Sequence, residues 1–236
     1  MLIDLHFRFS PSETAYSEFN RIIESARERG LDGLCACLPP TVGGCEKLVE
    51  AGKDDNFPVF IGRSFKTPRG EIIGIFPDCS PVSEKDLGDV LSSPQMTLNY
   101  INKKNGVAVI TQPYSRNSDE PVFQDGVLDL ENVHCIEVIN HCTKSGAAEM
   151  AMDVAVNLRA KLVAGGEDPE QNFQAGVLLL NNISSQDALV AELKKGGDYW
   201  VFVLGRDPIR ESRRDEGRRP ERGRRERDRR RPQRRR

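Results

Sequence analysis

The sequence predicts an α/β fold, a distorted (β/α)7-type barrel over residues 1–205, followed by a disordered tail over residues 206–236. Three observations lead there. Short apolar runs alternate with segments of helical periodicity, the pattern of parallel strands joined by crossover helices. About seven such units occur, which favours a barrel over an open sheet. After Leu204 apolar residues nearly stop, Ile209 being the last, and a segment without them cannot bury enough surface to fold alone.

The elements follow in order. Met1–Phe9 reads as a strand, with Asp4, His6 and Arg8 on one face and Ile3, Leu5 and Phe7 on the other. Ser10-Pro11-Ser12-Glu13 is a helix start, with serine as N-cap, proline at N1 and glutamate at N3. That helix carries Ala15, Phe19, Ile22, Ile23 and Ala26 on one face and ends at Gly30. Leu31–Leu38 is a second strand and Cys45–Ala51 a short helix. Phe57–Ile61 and Glu71–Phe76 read as the next strands, and Asp86–Tyr100 as one helix. Gly106–Thr111 and Cys135–Ile139 are strands. The helix Gly146–Ala160 should turn Ala147, Met150, Ala151, Val154 and Leu158 inward. Leu162–Ala164, Val177–Leu180 and Tyr199–Leu204 complete the strands, with a helix from Ser184 to Lys195 before the last.

The overall charge of −2 hides a division. From Arg206 onward there are 16 arginines and 7 acids, a net of +9, which leaves 18 basic and 29 acidic residues, a net of −11, for the rest. An acidic body thus carries a basic tail. No apolar run reaches the roughly 18 residues of a membrane span, so no membrane partner is expected. Asp4, His6 and Arg8 interrupt the apolar N-terminus, unlike a signal peptide. The six cysteines lie mostly inside apolar segments, as reduced packed thiols do, which points to a cytoplasmic protein. Cys35-x-Cys37, with His134-Cys135 and His141-Cys142, leaves zinc as the alternative, but the Cys-x-x-Cys turn of zinc knuckles is absent.

Five short motifs carry a resemblance. They are Met1-Leu2-Ile3-Asp4-Leu5-His6, Gly30-Leu31-Asp32-Gly33-Leu34, Gly106-Val107-Ala108-Val109 running to Gln112-Pro113-Tyr114, Ile136-Glu137-Val138-Ile139-Asn140, and the turn Ala164-Gly165-Gly166-Glu167-Asp168-Pro169. In this order they resemble the PHP superfamily, the polymerase and histidinol phosphatase type of metal-dependent phosphoesterase. The resemblance spans about residues 1–204. It implies a barrel whose strand ends hold two or three divalent ions that bridge a phosphate and activate a water.

The ligands that chemistry needs are largely missing. The resemblance implies roughly six histidines, and the chain has three: His6, His134 and His141. Arg8 replaces the second histidine of the opening pair. Leu38-Pro39 replaces an Asp-His pair, Ser64 a glutamate, Gln112 a histidine, and Pro169 the last histidine. Leucine, proline and arginine cannot ligate a metal. The expectation is a pseudoenzyme barrel without cofactor. If it is active, Asp4, His6, Glu167 and Asp168, with Glu71, would rebuild a Mn, Zn or Fe site, His6 being the residual metal ligand.

A second expectation follows from Arg8. A guanidinium where the family faces phosphate is a fixed cation of bidentate geometry. With Arg63, Lys144, Lys66 and Arg116 it would form an anion site for a phosphorylated small ligand. The bland alternative is that Arg8 forms a buried ion pair with Glu167 or Asp168. In the tail, Arg229, Arg230, Arg231, Arg234, Arg235 and Arg236 stand without an acid among them. Arginine-rich segments contact RNA or DNA through phosphate and stacking. An acidic partner, the body itself or plain solubility are the alternatives. The same barrel type, in a protein subunit of archaeal and eukaryotic ribonuclease P, serves RNA assembly, though fold does not fix function.

Overall fold

A computed structural model describes residues 1–115, 121–140, 143, 145–166, 175–179, 181–195 and 199–204. Nine strands form one sheet in the order β7-β6-β5-β4-β3-β2-β1-β8-β9. They are β1 Leu2–Arg8, β2 Gly33–Leu38, β3 Val59–Thr67, β4 Gly70–Ile75, β5 Val107–Ile110, β6 Cys135–Ile139, β7 Lys161–Ala164, β8 Ala175–Leu178 and β9 Trp200–Val203. Beyond its ladder with β8, β9 lies against β7 and β6, so the sheet curls into a nearly closed barrel. The helices are α1 Glu13–Ser17, α2 Phe19–Glu28, α3 Glu46–Asp54, α4 Glu84–Leu91, α5 Pro94–Lys103, α6 Ser145–Leu158 and α7 Gln186–Lys195, with a 3-10 turn at Gln124–Asp129.

The core has an inside and two outsides. The barrel interior is filled by Ile3, Leu5, Cys35, Cys37, Phe60, Ile73 and Val109 with Leu189 and Leu193 of α7. Phe7, Leu34, Ala36 and Ile61 pack outward against Phe19 and Ile23 of α2 and Leu48 of α3. Ile72, Ala108, Ile110 and Ile136 pack outward against Leu98 and Ile101 of α5 and Val154 and Ala155 of α6. Strands covered on both faces read as continuous apolar runs, which is how β2 appears in the sequence.

Several local expectations are corrected. The strands are not all parallel: β3–β4, β4–β5, β1–β8 and β8–β9 are antiparallel. Between β3 and β4 only Pro68 and Arg69 intervene, too few for a crossover, so the pair is a hairpin. Gly70 makes that turn at φ 149°, and a Cβ there would lie 2.3 Å from Phe123 Cε2. The N-cap is Ser12, whose Oγ accepts from the Ala15 N–H at 3.0 Å, rather than Ser10, and the helix breaks at Glu18 into α1 and α2. The expected helix from Asp86 to Tyr100 is two helices, because Ser93 caps α5 at the Met96 N–H and Pro94 takes N1. On α6, Met150 is exposed, while Ala155 is buried. The alternation of β1 also fails, for its register shifts between Asp4 and Phe7. Ile3 and Leu5 face the interior while Phe7 packs outward. That irregularity decides where His6 points.

Candidate functional site

The parallel strands end at one mouth of the barrel. Antiparallel β4 begins there, since Lys66 near the end of β3 stands opposite Glu71. On β4, Glu71 shares a face with interior Ile73 and Ile75. On β6, Glu137 shares one with interior Cys135. His6 of β1 reaches both carboxylates. Its Nδ1 lies 2.9 Å from Glu137 Oε1 and its Nε2 3.8 Å from Glu71 Oε2.

Each carboxylate has further partners. Glu137 Oε2 accepts from the Gln112 N–H at 3.2 Å and from Asn140 Nδ2 at 3.3 Å. Glu71 Oε2 accepts from the Arg8 guanidinium at 3.0 Å, and its Oε1 accepts from Ser64 Oγ. Asp4 takes the His6 N–H on Oδ1 at 2.8 Å and the Gly166 N–H on Oδ2 at 2.9 Å. Gly165 must be glycine here, because a Cβ would lie 2.4 Å from His6 Cβ and 2.6 Å from His6 N. The backbones of β1 and of the turn after β7 touch at the histidine.

Burial sets the charges. Asp4 is fully buried, and desolvation pushes its carboxyl up to about 7 against the pull of its two N–H donors and His6. Burial alone would push His6 down, but Glu137 beside it, helped by Glu71, holds it up at about 10. Burial likewise opposes ionisation of Glu71, yet His6, Arg8 and Ser64 together keep it below the usual carboxylate range. At neutral pH the mouth therefore holds an imidazolium between Glu137 and Glu71, with the Arg8 guanidinium on Glu71.

The other singled-out residues lie apart or outside the described residues. Arg63 is 1% exposed and gives its guanidinium to the carbonyls of Val42 and Cys79 and to Cys45 Sγ, tying two loops together. Cys35 and Cys37 sit in the barrel interior, with Cys37 Sγ donating to the carbonyls of Leu5 and Cys35. His134 Nδ1 accepts from the Ala108 N–H at 3.3 Å, a packing role. Arg116, His141, Cys142, Lys144, Glu167, Asp168 and the tail arginines Arg229, Arg230, Arg231, Arg234, Arg235 and Arg236 lie outside the described residues.

Comparison with solved structures decides the architecture. A protein of Bifidobacterium adolescentis assigned as a metal-dependent phosphoesterase superposes with a TM-score of 0.58 at 12% identity, over 83% of this chain and 96% of that one. PsfC from Pseudomonas syringae gives 0.56 at 14% identity, over 92% and 96%. An amidohydrolase from Chromobacterium violaceum with bound sulfate and no metal gives 0.52 at 15% identity, over 72% and 89%. The chain has a PHP-like fold. No protein-family model matches it. In sequence it is 27% identical over 132 residues to an uncharacterized protein of Methanocaldococcus jannaschii, across 55% of this chain and 70% of that one.

A PHP-like mouth implies divalent ions, and the residues present fit them poorly. Among the described residues no three His, Cys, Asp or Glu side chains are grouped to hold an ion. Glu71 is engaged by the Arg8 guanidinium, and His6 Nδ1 is engaged by Glu137. Sequence reasoning named Asp4, His6, Arg8 and Glu71, but treated Glu137 as scaffold. The signal was an acid at an inward position of an otherwise apolar strand.

Proposed function

We propose that this chain is a non-hydrolytic PHP-like barrel that binds nucleic acid, its arginine-rich C-terminal segment contacting the phosphates. The observation that carries the non-hydrolytic reading is the Arg8–Glu71 ion pair beside the His6–Glu137 pair, which sets fixed cations where the fold's phosphoesterases need exchangeable metal and water. The nucleic-acid reading rests on the charge division, +9 in the tail against −11 in the body. The test is anisotropy of a labelled RNA or DNA oligonucleotide at several salt concentrations. The reading expects affinity that falls steeply with salt and disappears on truncation after Leu204. Affinity that survives the truncation overturns it.

The mouth could also take a phosphorylated small ligand on the exposed flank of Arg8, which is 37% exposed. Calorimetry with pyrophosphate would then give binding that Arg8→Ala abolishes, and the same affinity in both proteins rejects this part. One observation favours a second reading, a metal-dependent phosphoesterase with a rebuilt site. His6 Nε2 is buried without a hydrogen-bond partner and lies 3.8 Å from Glu71 Oε2. Tightly held Mn, Fe or Zn in the purified protein, measured by mass spectrometry, would decide for it.

A further inference from the structure

The last strand of the barrel leaves an aromatic face in solvent. Trp200 is 68% exposed and Phe202 41%, and both stand on the same side of β9 because strand residues two apart share a face. Between them Val201 packs inward against the barrel interior, as does its ladder partner Val177. Leu178 is opposite Trp200 and Gly176 opposite Phe202, so the partner strand adds no second ring. Elsewhere in the barrel the outward faces of β2, β3, β5 and β6 lie under helices. Large rings without a covering layer are costly to leave in water and mark a contact surface.

What covers them is indicated by the chain that follows. Sixteen arginines come after this strand in sequence, beginning at Arg206. Charge there selects a polyanion, and flat exposed rings select one with free π-faces. Bases in a duplex are stacked on each other, whereas unpaired bases stack readily on aromatic side chains. We infer that the outer face of β9, through Trp200 and Phe202, is a stacking platform for single-stranded nucleic acid. This rests on the nucleic-acid reading above and adds which form is bound and where its bases sit.

Trp200 is the sole tryptophan of the chain, so its emission reports on this surface alone. The experiment titrates the full-length protein with an end-labelled 20-nucleotide oligothymidylate and, separately, with a 20-base-pair duplex. It follows label anisotropy and tryptophan emission together. The inference expects the single strand to quench Trp200 and the duplex not to. It also expects Phe202→Ala to weaken single-strand binding by about ten-fold. If anisotropy rises while emission stays constant and Phe202→Ala binds equally well, the platform is rejected and the tail reading stands. Should neither oligonucleotide change the anisotropy at low salt, the nucleic-acid reading falls and takes the platform with it. An emission shift that follows protein concentration without oligonucleotide, with a matching change in sedimentation, would mean that a second copy covers the face, and overturns the inference.

Discussion

His6 is held by geometry that its neighbours alone would not create. Burial disfavours its charge, and the 2.9 Å contact with Glu137 restores it, so its folded-state value stands at about 10 against an ordinary 6.5. A raised basic group stabilises the fold fully below its unfolded value and ceases to do so as pH rises through the folded value. The wild type should therefore lose melting temperature between about pH 6.5 and 10, and His6→Gln should be flatter across that window. Parallel melting curves for the two proteins would contradict the imidazolium. Arg8 gives a second expectation. Its removal leaves Glu71 without its guanidinium, but Arg8 is 37% exposed, so solvent screens much of the pair. Arg8→Ala should cost about 1–2 kcal/mol in urea unfolding, below the ~3–5 of a fully buried pair. These residues were legible in the sequence as a set, since ionisable groups within apolar strands ask for partners. Their pairing was not. Arg8 meets Glu71, because β4 runs antiparallel and brings its first residues to the mouth, while Glu167 and Asp168, the ion-pair partners that the sequence offered as an alternative, lie outside the described residues.

Among the elements, β1 and the turn after β7 carry the site. The register shift between Asp4 and Phe7 lets Leu5 stay inside with His6 while Phe7 turns out. Strict alternation in the sequence cannot reveal this, for an irregularity of one residue leaves no compositional mark. Gly165 permits the approach, and Gly165→Ala would set a Cβ 2.6 Å from the His6 backbone nitrogen. We expect that variant to lose about 2–4 kcal/mol, measured by chemical denaturation, and to flatten the pH dependence tied to His6. A variant as stable as wild type would mean that the strands can part without consequence. Element boundaries were readable where a chemical signal existed. The Ser93-Pro94 start of α5 follows the same serine-proline rule applied at Ser10-Pro11, yet the structure uses it only at α5. At the earlier helix Ser12 supplies the cap instead. The hairpin of β3 and β4 was hidden because β3 runs on through Lys66 and Thr67, polar residues that end an apolar run in sequence but continue the ladder in space.

At the scale of the molecule, the sequence divides into an acidic body of net −11 and a basic terminal segment of net +9. The barrel class was legible because alternation and five ordered motifs mark the scaffold, and scaffold and chemistry are separate demands on a sequence. Among the described residues no helix is long and apolar enough to cross a membrane. If the division is real, truncation after Leu204 should leave the thermal melt of the barrel within a few degrees of the full chain while removing salt-dependent oligonucleotide binding. We propose that side-chain cations, rather than metals, supply the positive charge at the mouth. The most direct measurement is release of nitrophenol from bis-p-nitrophenyl phosphate with added Mn²⁺, for wild type and His6→Ala side by side. The account predicts the same background rate for both. Hydrolysis by the wild type that vanishes in His6→Ala would contradict it and place a working metal centre at His6.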